Sequence, residues 1–134
     1  MSFDRLVVVD WSARSKPSPE APAKDAIYIC HSNNLEMQNT EYFRTRRAAL
    51  NFIEKLIEKS LVLKERIFIG FDFAFGYPAG FSKSVTSSSN PFSIWEFLNQ
   101  VVTDGEDNSN NRFEVAQGLN CLLYTSPSPR DGFT

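Results

Sequence analysis

Two aspartates each follow directly on a short apolar run, and no other residues in the sequence carry so clear a chemical signal. Asp10 closes the run Arg5 to Asp10 (RLVVVD), and Asp72 closes the run Arg66 to Asp72 (RIFIGFD). If the two runs form neighbouring parallel strands, both carboxylates lie at the carboxyl ends of those strands, where open α/β sheets usually bind ligands. The pattern common to the two runs, an apolar stretch that ends in Asp, therefore predicts one shared site.

A shared site of two carboxylates implies a particular chemistry. Like charges a few ångströms apart repel, so the pair needs a shared proton or a cation. Mg²⁺ or Mn²⁺ takes oxygen ligands of this kind. A metal held there polarises a phosphoryl oxygen and activates water, as in metal-assisted phosphodiester cleavage. We therefore expect Asp10 and Asp72 to be metal ligands and catalytic residues. The alternative is that they are a capping residue and a turn residue after two strands.

Three further side chains are candidates for binding a substrate. The Ser12 hydroxyl lies next to a carboxylate in sequence and can hold a phosphate or a water. Arg14, in the loop after Asp10, can attract phosphates, although a solvated loop charge is the alternative. Tyr77 lies in the glycine- and proline-containing turn 74–81 (AFGYPAGF), where the alternative is a purely structural role.

Hydrophobic periodicity predicts the elements that position these residues. Strands are expected at 5–10, 26–30, 35–43 and 66–72, and helices at 46–61, 91–102 and from residue 113. The first run suits a strand buried on both faces. The helix 46–61 has an inward stripe of Ala49, Phe52, Ile53, Leu56 and Ser60, and Phe92, Trp95, Leu98 and Val101 or Val102 are expected to face inward from the next helix.

This order of elements is β-β-β-α-β-α, and it predicts an α/β fold. Close spacing favours an antiparallel meander of the first three strands. A right-handed crossover through the helix then places the fourth strand parallel to the first. The proline-containing segment 12–24 is expected to be a loop. The run Arg44, Arg46 and Arg47 is interpreted as a charged first helical turn.

Two segments resemble a known family. VVVDWSARS and IFIGFDFAFGYPAGF are similar to the signature segments of bacterial proteins described as a predicted RNase H-like nuclease domain of unknown function. The resemblance covers Arg5 to Asn120 and implies an RNase H-like mixed sheet. It matches Asp10 and Asp72 to the acidic positions of the first and fourth strands. RNase H-type sites also use a Glu from the first helix, for which Glu54 is the nearest candidate, but helical geometry places it off the apolar stripe.

The end of the chain is interpreted as foreign to the rest of the protein. Cys121 to Asp131 (CLLYTSPSPRD) matches, codon by codon, the translation of a transposase adapter used to prepare sequencing libraries. We therefore expect residues 121–134 to be a non-native, unstructured tail. Residues 1–120 would then be the N-terminal part of an RNase H-like domain that is truncated before the fold is complete. Such a truncation would leave one edge or face of the sheet uncovered.

Composition limits the class of protein. With 42% hydrophobic residues and twelve Phe among 134 residues, the chain can build a core. The net charge of −2 lacks the basic character of a protein whose main partner is nucleic acid, although a small patch can still hold phosphates. Neither a signal peptide nor a membrane span is expected, so the predicted location is the cytoplasm.

Three functions remain open from the sequence. The first is a metal-dependent nuclease or phosphoryl-hydrolysing domain that acts on nucleic acid or a phosphorylated small molecule and is incomplete and inactive as this fragment. The second is a non-catalytic binding or scaffold module with the same fold, which the off-face Glu54 favours. The third is an actin-like ATPase or kinase half-domain. It ranks lower because its first hairpin usually has Gly and Thr where this chain has Trp-Ser-Ala-Arg.

Overall fold

The computed structural model describes residues 2–33 and 37–125. They form four strands and four helices. The elements are β1 (Arg5–Asp10), β2 (Ile27–Asn33), β3 (Met37–Phe43), α1 (Arg46–Val62), β4 (Ile67–Phe71), α2 (Phe81–Thr86), α3 (Phe92–Val101) and α4 (Arg112–Thr125). Among these residues no helix is long and apolar enough to cross a membrane.

The strands form one mixed sheet in the order β3-β2-β1-β4. β1 pairs antiparallel with β2, and β2 pairs antiparallel with β3. β1 pairs parallel with β4, which the chain reaches through α1. The α/β class, the meander and the parallel fourth strand are confirmed.

The chain divides into two compact units. The first is Met1–Phe73 with Gly105–Ser109, and it contains the sheet and α1. The second is Ala74–Asp104 with Asn110–Thr134, and it contains α2, α3 and α4.

The core of the first unit lies between α1 and one face of the sheet. Val7, Val9, Ile27 and Ile29 from the sheet pack with Ala49, Ile53 and Leu56 from α1. Burying each large aliphatic side chain contributes about 1.5–3 kcal/mol relative to leaving it exposed. The inward stripe of the helix is confirmed, because Ser60 is also buried and Phe52 packs at the edge of this cluster.

The other face of the sheet is open, which corrects the expectation that β1 is buried on both faces. Val8 is 60% exposed and Phe68 on β4 is 49% exposed. The Phe3 ring lies against Phe68, tilted by 51°, with a distance of 5.3 Å between the ring centroids. A run of consecutive valines fits a doubly buried strand and a singly buried one equally well, so only the packing of α1 on one side decides between them.

The second unit differs from expectation in two places. The helix α2 was not predicted, because FSKSVT is short and rich in Ser and β-branched residues, which form helices poorly. In α3 the buried residue is Ile94, whereas Phe92 is 70% exposed and Trp95 is 36% exposed. The predicted inward positions of Phe92 and Trp95 are therefore wrong, although Leu98 and Val101 are half-buried.

The helix α4 does not end where the native sequence was expected to end. It continues to Thr125, so residues 121–125 are helical and the prediction of an unstructured segment is wrong for them. Leu122 is 44% exposed and Tyr124 is 92% exposed, so neither side chain adds to a core. Residues 126–134 lie outside the described residues, and the adapter origin of the tail stays a prediction.

Candidate active site

The parallel pairing of β1 with β4 brings Asp10 and Asp72 to the same end of two neighbouring strands. The last residues in register are Val9 and Phe71, directly before the two aspartates. The Asp72 N–H donates to the Val9 carbonyl over 3.3 Å, which continues the ladder by one step. Both aspartates are exposed, so solvent reaches the pair.

The Asp72 carboxyl influences the ionisation of Asp10. Desolvation raises the pKa of Asp10, and a side-chain hydrogen bond and charge repulsion from Asp72 raise it further. Charge repulsion from Asp72 disfavours ionisation of Asp10, and a cation bound between the two groups would offset that repulsion.

The backbone after β1 orients one of the two carboxylates. The Trp11 N–H donates to Asp72 Oδ1 over 2.9 Å. The Trp11 ring packs edge-on against Phe71 and Phe73, with centroid distances of 6.3 and 6.4 Å. Trp11 is thus a packing residue whose backbone links the ends of the two strands.

The Ser12 hydroxyl is engaged within its own loop. It donates to the Asp25 carbonyl over 2.8 Å and lies 3.4 Å from the Arg14 N–H, which donates to it. These contacts close the loop between β1 and β2. Both Ser12 and Arg14 are half-buried and follow Asp10 on the same strand-to-loop turn. Their role in binding a substrate stays a prediction.

Arg46 holds this loop against the start of α1. Its guanidinium donates from Nη1 to the Ser12 and Arg14 carbonyls over 3.1 and 2.7 Å. Its Nη2 donates to the Asn108 carbonyl over 2.8 Å. The backbone N–H of Arg46 donates to Asn108 Oδ1, also over 2.8 Å. Asn108 Nδ2 donates in turn to the Lys16 and Arg44 carbonyls. This network sets the backbone shape of the loop that follows Asp10.

Sequence reasoning missed Arg46 and Asn108. Both are buried, at 7% and 3% exposure, although Arg46 was interpreted as part of a charged first helical turn. Asn108 has a φ of 69°. Asn is enriched in the left-handed region among residues other than Gly. The residue type was therefore the only signal that the sequence offered for Asn108.

Tyr77 and Glu54 belong to different units. Tyr77 belongs to the second unit, where its ring stacks on Phe81. Glu54 is exposed on α1, as its position off the apolar stripe predicted. In the described ranges no group of three or more His, Cys, Asp or Glu is placed to hold a metal ion.

A pair of carboxylates nevertheless fits one class of cation. Mg²⁺ usually keeps several waters and is bound through one or two carboxylates together with substrate phosphates. Asp10 and Asp72 supply such a donor set. The Trp11 N–H occupies one lone pair of one Asp72 oxygen.

The raised pKa of Asp10 predicts how the stability of Asp10→Asn compares with that of the wild type across pH. A carboxyl whose pKa is higher in the folded state costs stability as pH rises from its unfolded value through its folded value. We therefore expect Asp10→Asn to gain stability over the wild type as pH rises from about 3 to neutral. Thermal unfolding of both proteins at several pH values, without divalent cations, measures the difference.

The comparison with the wild type is needed because other carboxyls act in the opposite direction. Hydrogen bonds lower the pKa values of Asp4 and Asp107, so each stabilises the fold above its unfolded pKa and loses this as pH falls through its folded pKa. These effects cancel in the difference between the two proteins. A difference in melting temperature that does not change with pH would contradict the shared site.

Comparison with known proteins adds no assignment to this geometry. No protein-family model, no curated protein and no solved structure matches the chain.

Proposed function

We propose that this chain carries an RNase H-like domain that hydrolyses phosphoryl bonds with a divalent metal. One observation carries the proposal: the carboxyls of Asp10 and Asp72 meet at the carboxyl ends of two parallel strands. The topology of the sheet, a meander followed by a parallel fourth strand, supports the RNase H-like fold. The resemblance to the bacterial family of predicted nucleases names the same two aspartates.

In this proposal each residue has a defined part. Asp10 and Asp72 hold Mg²⁺ or Mn²⁺, and the Trp11 N–H fixes the orientation of the Asp72 carboxylate. When bound, the metal supplies a Lewis acid for a phosphoryl oxygen and lowers the pKa of its water. The network around Arg46 holds the loop that carries Ser12 and Arg14, which are the proposed contacts for the substrate phosphate. The substrate class is nucleic acid or a phosphorylated small molecule.

A non-catalytic binding module is the second candidate. The exposed position of Glu54 favours it, because α1 then contributes no carboxylate to the aspartate pair. On this alternative the fold and the acidic pair remain, but the pair binds a cation without turning over a substrate. The two candidates share cation binding and differ in hydrolysis.

Binding of Mn²⁺ tests the element that both candidates share. We expect the full chain to bind one Mn²⁺ saturably, as measured by electron paramagnetic resonance of the free ion. Asp10→Asn should remove this binding, and Glu54→Gln should retain it because Glu54 lies on the exposed face of α1. If Mn²⁺ binds equally to the wild type and to Asp10→Asn, the aspartates are not the ligands and the proposal fails.

A further inference from the structure

The second unit contains an open pocket with aromatic walls. Its volume is about 460 Å³, within the range of small-molecule sites. This pocket, here called the aromatic pocket, has four large aromatic residues in its lining: Phe75, Tyr77, Phe92 and Trp95. Their exposed fractions are 62, 44, 70 and 36%. Four large rings exposed around one concavity exceed the scattered apolar residues of an ordinary surface.

Ring contacts hold part of this wall in place. Tyr77 stacks on Phe81 with a centroid distance of 4.6 Å and an interplanar angle of 10°. Trp95 lies against Tyr77 at 5.8 Å and 55°. Because these rings already support each other, a ligand that stacks on them orders few additional side chains. The pocket is therefore preorganised for a flat ligand.

Two glycines keep the backbone side of the pocket open. Gly76 and Gly80 both line it, and a Cβ built on either meets nothing within 4 Å. Gly80 has a φ of 85°, so its conformation alone explains a glycine there. A side chain at Gly76 would enter open space. Because Gly76 lines the pocket, we expect a large side chain there to fill part of it.

Polar groups at the pocket give the ligand a second requirement. Three hydroxyl-bearing residues, Tyr77, Ser82 and Ser89, line it. The Ser82 hydroxyl is engaged with the Asn90 carbonyl over 2.7 Å. Ser89 is exposed and brings a hydroxyl that can donate or accept. A ligand with a flat π face and a hydrogen-bonding edge satisfies both the rings and these hydroxyls.

We propose that the aromatic pocket binds a nucleobase, stacked on the aromatic wall and hydrogen-bonded at its edge. Stacking of a base on an aromatic side chain contributes about 1–3 kcal/mol and tolerates any base. The base can belong to a free nucleotide or to a single strand. This inference goes beyond the proposed metal site and stands on the second unit alone. If both proposals hold, the substrate class of the protein is a nucleotide or a single-stranded nucleic acid.

Calorimetric titration of the full chain in EDTA tests the pocket. The probes are adenosine monophosphate, a short single-stranded oligodeoxyadenylate, and ribose 5-phosphate, which keeps the sugar and phosphate but lacks the base. We expect the first two to bind saturably at micromolar to millimolar concentration and ribose 5-phosphate not to bind. Tighter binding of the oligonucleotide identifies a strand as the ligand, and equal binding identifies a free nucleotide.

Matched variants separate the pocket from the rest of the unit. Phe92→Ser removes an exposed ring of the pocket and should weaken adenosine monophosphate binding about 5-fold or more. Phe113→Ser removes an equally exposed ring, at 72%, outside the pocket and should leave binding unchanged. Gly76→Leu should block the pocket, whereas Gly118→Leu adds the same side chain at another open position, on α4. Circular dichroism of each variant verifies the fold.

The outcomes distinguish this inference from the metal site. Binding of adenosine monophosphate is measured in EDTA, so its outcome does not depend on whether the two aspartates bind a cation. Saturable binding by ribose 5-phosphate, or unchanged binding by both Phe92→Ser and Gly76→Leu, would overturn the inference. So would the absence of base binding by the folded wild type at millimolar concentration.

Discussion

In the full-length protein, Asp10→Asn and Asp72→Asn should each lower Mg²⁺-dependent phosphodiester hydrolysis by at least about 10²-fold while the protein remains folded. Residues that only support a metal ligand cost 10- to 100-fold in affinity or activity when changed, so removing a ligand should cost at least as much. An amide still accepts hydrogen bonds but lacks the charge that holds Mg²⁺. The measurement is the initial rate on a generic phosphodiester and on single-stranded and RNA–DNA hybrid substrates, with and without Mg²⁺ or Mn²⁺.

The controls identify the cause of a lost rate. Glu58→Gln removes an exposed carboxylate of α1 outside the pair and should keep full activity. Circular dichroism and thermal unfolding of Asp10→Asn should show an intact fold, because the change relieves repulsion between the two carboxyls. Wild-type hydrolysis that Asp10→Asn and Asp72→Asn both retain would end the catalytic proposal. A wild type that binds Mn²⁺ and hydrolyses none of the substrates would favour the binding module.

Glu65→Ala should lower the free energy of unfolding by about 3–5 kcal/mol, because it leaves a buried arginine without its counter-ion. The Arg5 side chain is 2% exposed, and its Nη2 lies 2.8 Å from Glu65 Oε2. Its Nε donates to Ser60 Oγ and to Glu65 Oε2 over 2.9 and 3.0 Å, and its Nη1 donates to Asn33 Oδ1. Glu65 is 25% exposed, which places the expected loss nearer the lower bound. Urea unfolding followed by circular dichroism measures it.

Two comparisons show whether burial is the cause. Glu20→Ala breaks an exposed pair with Arg44, at 91 and 49% exposure, and should cost about 1 kcal/mol or less. The double variant Arg5→Met with Glu65→Leu removes both charges and should recover much of the loss of the single variant, because an apolar pair of similar volume avoids the desolvation cost. A loss below about 1 kcal/mol for Glu65→Ala would show that solvent satisfies Arg5 after all.

The sequence by itself determined the elements of the first unit and the relation between its two acidic strand ends. Periodicity located α1 and its buried face, because apolar residues at helical spacing have one way to leave water. Two apolar runs that each end in Asp, joined by a crossover helix, determined that the carboxylates meet. The sheet order and the parallel register of β1 with β4 agree with this prediction.

Local pattern was insufficient where a residue's environment comes from distant segments. Arg5 and Arg46 look like surface charges in sequence, yet both are buried. Arg5 bonds to Asn33, 28 residues away, and Arg46 bonds to Asn108, 62 residues away. An arginine has the same local signature whether its guanidinium meets water or carbonyl oxygens. Only the closed fold decides which of these it meets.

Surface exposure was also decided by tertiary structure. Val8 and Phe92 are both apolar and both exposed, but Val8 is on the open face of the sheet and Phe92 is at the aromatic pocket. Hydrophobicity determines that a side chain favours burial, and the packing partners determine whether burial is available. The pairing of the two aspartates was therefore readable from the sequence, whereas the buried arginines and the aromatic pocket required the folded chain.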